Sequence, residues 1–139
     1  VAGMTSGLEA ALAEASSPSW PRRARAGRDL ASFADVPEAA EVLVRLLLDA
    51  GDTAVTRQTA EALARAGSVA AVRLIALAVA EADGSQADWL QTGVQDALMG
   101  PDGVPDVVAA ACRKLARDHE EAVRRGAAEI SAWTGDTTC

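Results

Sequence analysis

The sequence predicts an all-α fold of about eight helices, and three observations lead there. Alanine and leucine favour helices, and alanine alone makes up about a quarter of the 139 residues. Strand-like runs of β-branched or aromatic residues are scarce, and the only aromatics are Trp20, Phe33, Trp89 and Trp133. Apolar residues recur at helical spacing between short breaks rich in Gly, Pro, Ser and Asp. The stretch from Ala54 to Ala80 shows the pattern most fully. Val55, Ala62, Leu63 and Ala66 share one stripe, while Arg57, Glu61 and Arg65 share the opposite one. Opposite charges at that i, i+4, i+8 spacing stabilise a helix by about 0.2–0.5 kcal/mol per pair. Gly67 suits the left-handed residue that ends a helix, and Ser68 suits the cap of the next. From Val69 to Ala80 only Arg73 is polar, the pattern of a helix buried among neighbours. It is too short to span a membrane.

The other elements follow in chain order. Thr5 or Ser6 is expected to cap a first helix reaching about Ala15, with Leu8, Ala11, Leu12 and Ala15 on one face. Residues 16–19, Ser-Ser-Pro-Ser, make a turn. Pro21 suits the first turn of a second helix that continues through Leu30 and Phe33. Residues 35–38 break and restart the chain, and Val42 to Leu48 form the apolar body of a third helix. Asp52 or Thr53 caps the fourth, which ends at Gly67, and Ser68 opens the fifth. A turn at 82–85 precedes a sixth helix over 86–99. The cluster Gly100-Pro101-Asp102-Gly103 is a strong breaker. Pro105 then sits in the first turn of a seventh helix reaching about Arg117. Asp118 is expected to cap an eighth, from Glu120 or Glu121 to Trp133, with Gly135 at its end.

Charge narrows the partners. The net charge is −7, and it is unevenly placed. Residues 35–110 hold twelve acids and four bases, residues 1–34 three and four, and residues 111–139 five of each. Between Arg73 and Arg113 there is no base, but Glu81, Asp83, Asp88, Asp96, Asp102 and Asp106 all occur. Nucleic-acid binders need clustered Lys and Arg, so no nucleic-acid partner is expected. An acidic middle suits a basic protein partner. Residues 1–17 lack the basic start and continuous apolar run of a signal peptide, so a cytoplasmic protein is expected, with no membrane association.

The fourth helix recurs. Val55–Gly67 aligns with Val123–Gly135, placing Val55/Val123, Arg57/Arg125, Ala60/Ala128, Glu61/Glu129, Ala64/Ala132 and Gly67/Gly135 in register. Leu90–Leu98 and Arg22–Leu30 fit the same pattern, so the units start at 22, 55, 90 and 123. Each follows an apolar helix, which gives four helix pairs over about 5–34, 36–67, 69–100 and 103–135 in a single domain, 5–135.

The run Asp118–Ile130, D-H-E-E-A-V-R-R-G-A-A-E-I, resembles the HEAT-repeat family of α-solenoids. That family places an aspartate in the turn between paired helices, then Val-Arg, then an alanine-rich helix. Asp118, Val123 and Arg124 match in order. Thr56 and Gln91 stand where the arginine belongs, and Arg22 replaces the valine of the first unit, so a continuous Asp–Arg ladder is interrupted. The resemblance implies a right-handed α-solenoid of four antiparallel helix pairs. It also implies that the second helix of each pair lines a concave surface. The stripe 57/61/65 then has equivalents 24/28/32, 92/96/100 and 125/129/133. The concave surface would present Arg28, Arg57, Glu61, Arg65, Asp96, Arg125, Glu129 and Trp133 to a partner.

Little in the chain suggests bond chemistry. His119 is the one histidine, and its place between Asp118 and Glu120 suits a solvated turn. Cys112 and Cys139 lack metal-ligand spacing, and Cys112 is expected as a small core residue. No G-x-G-x-x-G, Walker A, H-E-x-x-H or C-x-x-C occurs. Asp96, Asp102 and Asp106 straddle a Gly/Pro turn, where capping explains the last two better than acid–base work. Trp20 and Trp89 stand near the starts of second helices and Trp133 near the end of the last, as turn seals or interface anchors. The expectation is a non-enzymatic protein-interaction module without cofactor or metal, able to dimerise through an exposed terminal edge. The alternatives are an immunity or antitoxin-type protein neutralising a basic toxin or nuclease, and, disfavoured, a HEAT-like bilin lyase or DNA-repair glycosylase.

Overall fold

The structure, a computed structural model, describes residues 2–100 and 103–135, with side chains from Gly7 onward. These residues form eight α-helices and no strand: α1 Ala2–Glu14, α2 Trp20–Leu30, α3 Pro37–Leu47, α4 Thr53–Ala66, α5 Val69–Glu81, α6 Gly84–Leu98, α7 Val104–Leu115 and α8 Glu121–Thr134. A 3-10 turn, Ala31–Phe33, extends α2. None of the described helices is long and apolar enough to cross a membrane.

The helix ends follow from capping chemistry. Asp52 accepts from Ala54 N–H at 2.8 Å, and Ser68 Oγ accepts from Ala71 N–H at 3.1 Å. Asp83 and Gln86 form a reciprocal capping box, so α6 begins at Gly84, two residues before the sequence expectation. Pro21, Pro37 and Pro105 each occupy a first helical turn. Gly67 and Gly135 close α4 and α8 with φ of 67° and 78°, a conformation that strains any residue with a Cβ.

Two further boundaries and one cap differ from expectation, while α8 begins at Glu121 as expected. Helix α1 already begins at Ala2, so Thr5 and Ser6 lie within it rather than capping it. Helix α7 ends at Leu115, because Arg117 and Asp118 bond back three residues in a tight turn. Asp118 does not cap α8. Its carboxylate is held by Arg73, and Glu120 takes the cap position. The roles expected of Asp102 and Cys139 lie outside the described residues.

Helices α2, α4 and α6 lie side by side with α4 in the middle, and α3, α5 and α7 form a second row behind them. Helices α1 and α2, α3 and α4, and α7 and α8 pack as consecutive pairs. The most extensive contacts are α4 with α6 and α5 with α8. A strictly regular stack would place α8 chiefly on α6, yet here it lies mainly over α5. Both large contacts depend on a mid-helix glycine. A Cβ on Gly93 would overlap the Arg57 carbonyl oxygen and lie 2.9 Å from Ala60 Cβ. A Cβ on Gly126 would overlap the Ala76 carbonyl, 2.6 Å from its carbon. Close helix crossings of this kind leave no room for side chains.

The core runs through both rows. Leu30, Leu43, Leu47, Leu63, Ile75, Leu90, Leu115 and Ile130 are fully buried. Helix α5 buries Ala71, Val72, Leu74, Ile75, Ala76, Ala78 and Val79, as its near-continuous apolar sequence requires. Cys112 is a buried core residue of α7.

One polar group is out of place. Thr59 of α4 is fully buried against Gly27 of α2, and its hydroxyl has no hydrogen-bond partner among the described residues. An unsatisfied buried hydroxyl destabilises, whereas a methyl of similar size would not. Thr59→Val is expected to stabilise the fold by about 1 kcal/mol, read as a higher urea midpoint at unchanged slope. An unchanged or lower midpoint would contradict the assignment.

Candidate functional site

Helices α2, α4 and α6 bring five of the eight expected site residues into two adjoining clefts. The larger lies between α4 and α6, has a volume of about 530 Å³, and is lined by Thr53, Ala54, Arg57, Gln58, Glu61, Trp89 and Asp96. The smaller, about 150 Å³, lies beside it on the α2 side and is lined by Arg28, Gln58, Glu61, Ala62 and Arg65. Gln58 and Glu61 line both.

Ion pairs and hydrogen bonds organise this face. Arg57 Nε donates to Asp96 Oδ2 at 2.6 Å, joining α4 to α6. That bond, with the nearby carboxylate charges of Asp96 and Glu61, raises the Arg57 pKa above its ordinary value. Arg65 pairs with Glu61 at 3.2 Å, one turn back along α4. Arg28 donates to Gln58 Oε1, joining α2 to α4. Arg28, Arg57 and Arg65 are exposed, and Glu61 and Asp96 are half-buried.

The remaining expected residues lie apart. Arg125 and Glu129 are exposed on α8 and line neither cleft. Trp133 is half-buried and packs against the core. Helix α8 follows α5 rather than α6, which separates its stripe from the others. The register also slips in α2. Ala24, aligned with Arg57, is buried at 1 % exposure, so that stripe contributes Arg28 alone to the clefts.

The charged stripes leave out Thr53, Gln58 and Trp89, of which the sequence marks Trp89 only as a turn seal or interface anchor. Two of them carry a signal. Thr53 stands one turn before Arg57, and Trp89 two turns before Asp96, so each extends a stripe already identified. Gln58 reaches the clefts only because α2 packs beside α4, which spacing within one helix does not reveal.

A second polar cluster ties α5 to the turn before α8. Arg73 Nε donates to Asp118 Oδ1 at 3.1 Å, and its Nη2 donates to Glu120 Oε1 at 2.8 Å. Asp118 also accepts from Glu120 N–H at 3.0 Å. The Arg73 hydrogen bond, then the Glu120 N–H, pull the Asp118 pKa below its ordinary value. A matching link occurs near the start of the chain, where Arg23 Nε donates to Asp49 Oδ1 at 3.0 Å. Arg23 and Arg124, at equivalent positions of the first and last units, each reach back six residues to a turn carbonyl: Arg23 to Ser17 at 2.9 Å, and Arg124 to Asp118 at 2.6 Å. Thr56 is buried and Gln91 half-buried at the two interrupted positions.

Asp118 therefore contributes pH-dependent stability. A carboxylate with a depressed folded pKa stabilises the fold above its unfolded value, near 3.8, and that stability is lost as pH falls through the lower folded value. Asp118→Asn is expected to cost about 1–2 kcal/mol at neutral pH in urea melts. The difference from the unsubstituted chain should shrink below about pH 4. A difference that stays constant down to low pH would show that the charge pair is not its source.

His119 is exposed in this turn, 3.7 Å from both Asp118 and Glu120. Among the described residues, no group of three or more His, Cys, Asp or Glu side chains is placed to hold a metal ion. Comparison with known proteins finds no matching family, no matching curated protein and no matching solved structure.

Proposed function

We propose that the chain is a non-enzymatic interaction module, a short HEAT-like α-solenoid that binds a protein partner on its α2–α4–α6 face. The α4–α6 cleft carries this reading: it sets an aromatic wall, Trp89, beside charges of both signs on two helices. Trp and Arg are enriched among the residues that dominate protein interfaces. The repeat reading draws support from the matching reaches of Arg23 and Arg124 and from the two helix rows.

Charge reversal tests the reading. Glu61→Arg with Asp96→Arg, with helicity checked by circular dichroism, is expected to abolish capture of the partner from lysate of the source organism. Reversal of Lys114 on α7, away from the clefts, should leave capture intact. Equal capture by all three forms would reject the face. The acidic middle of the chain supports a second reading, neutralisation of a basic toxin or nuclease. That reading requires growth rescue when the chain is co-expressed with a toxin encoded beside it, and failure to rescue would count against it.

A further inference from the structure

We infer that the α4–α6 cleft takes a short basic segment of its partner in extended form, with an Arg or Lys side chain lying between Trp89 and the carboxylates of Glu61 and Asp96. The inference rests on the proposed interaction reading and adds the chemistry of the occupant. Length comes first. Glu61 lies eight residues beyond Thr53 on α4, and Asp96 seven beyond Trp89 on α6. At 1.5 Å per residue each wall is roughly 10–12 Å long. An extended chain advances about 3.3–3.6 Å per residue, so three or four residues fill the cleft.

Charge decides the sign of the occupant. The cleft walls hold two carboxylates and one guanidinium. Arg57 bonds Asp96 through Nε, so an anionic segment reaching its Nη groups would face the Asp96 and Glu61 carboxylates beside them. A cationic side chain faces two carboxylates against one guanidinium in the cleft. Asp96 bonds Arg57 through Oδ2 and Glu61 pairs with Arg65 through Oε2, and each carboxylate can accept further donors. Asp88, exposed beside Trp89, adds negative charge at that end, and no base occurs between Arg73 and Arg113. Trp89 gives a half-buried indole that favours a cation over its face. The aromatic wall and the two carboxylates therefore select the same kind of side chain.

The test uses the full chain labelled with nitrogen-15 and two blocked tetrapeptides, one with two central arginines and one with two central glutamates. The arginine peptide is expected to shift the Trp89 indole N–H and the amides of residues 53–61 and 89–96. The glutamate peptide should not. Glu61→Gln with Asp96→Asn should weaken the arginine peptide about fivefold while the rest of the amide spectrum keeps its dispersion. Salt raised from about 20 to 300 mM should weaken it further. Preferential binding of the glutamate peptide in the cleft would overturn the inference and leave the cleft a binding site. The same holds if neither peptide shifts these residues while Glu61/Asp96 reversal still abolishes capture of the partner. If neither peptide binds and reversal leaves capture intact, both the inference and the interaction reading fall.

Discussion

Gly126→Ala is expected to destabilise the fold by about 2–3 kcal/mol, lowering Tm by roughly 10 °C. The sign is the informative part. Alanine is intrinsically favoured over glycine inside a helix by about 0.8–1 kcal/mol, so an unconstrained site would gain stability. At Gly126 the added methyl would overlap the Ala76 carbonyl, and backbone cannot move aside as a flexible side chain can. Helix α8 would have to withdraw from α5, loosening one of the two most extensive helix contacts. Gly7 of α1 provides the control, because a Cβ there meets nothing within 4 Å. Gly7→Ala is expected to raise stability by about 0.5–1 kcal/mol. Thermal melts of the two variants settle the matter, and a rise in both would show that α8 does not approach α5 this closely.

Ile75→Ala is expected to cost about 3–4 kcal/mol, among the largest effects of any single truncation here. Ile75 is fully buried at the middle of α5, and α5 touches α3, α4, α7 and α8. Loss of its side chain removes apolar contacts and leaves a cavity where surrounding helices are held by other contacts. The cost is a large fraction of a total stability of about 5–15 kcal/mol. Urea unfolding should show a lower midpoint at unchanged slope, since the same surface is exposed on unfolding. A loss below about 1 kcal/mol would mean that α5 is not the buried centre of the domain.

Much of this architecture was legible in the residues, for local reasons. Gly67 and Ser68 separate α4 from α5 because a left-handed stop and a hydroxyl cap act within a few residues. The apolar run of α5 announced its burial. The stripe logic placed Arg57 and Asp96 on one surface, and they are hydrogen-bonded there. What escaped depends on competition between distant groups. Asp118 had the look of a helix cap, but Arg73, 45 residues earlier, takes its carboxylate. Arg73 itself read only as the single polar residue of a buried helix. The even spacing of the units suggested that α8 would continue the row of α6, and spacing alone gives no sign of its packing over α5. Arg125, Glu129 and Trp133 share the stripe spacing for that reason, yet lie apart from the clefts.

The most direct test of the α2–α4–α6 face as the docking surface is site-specific photo-crosslinking. Gln58 lines both clefts, and Lys114 lies on α7 away from them. Each position would carry a photoreactive side chain in turn, with crosslinking in lysate of the source organism. A discrete protein adduct from position 58, absent from position 114, is the expected result. An adduct from position 114 alone would contradict it.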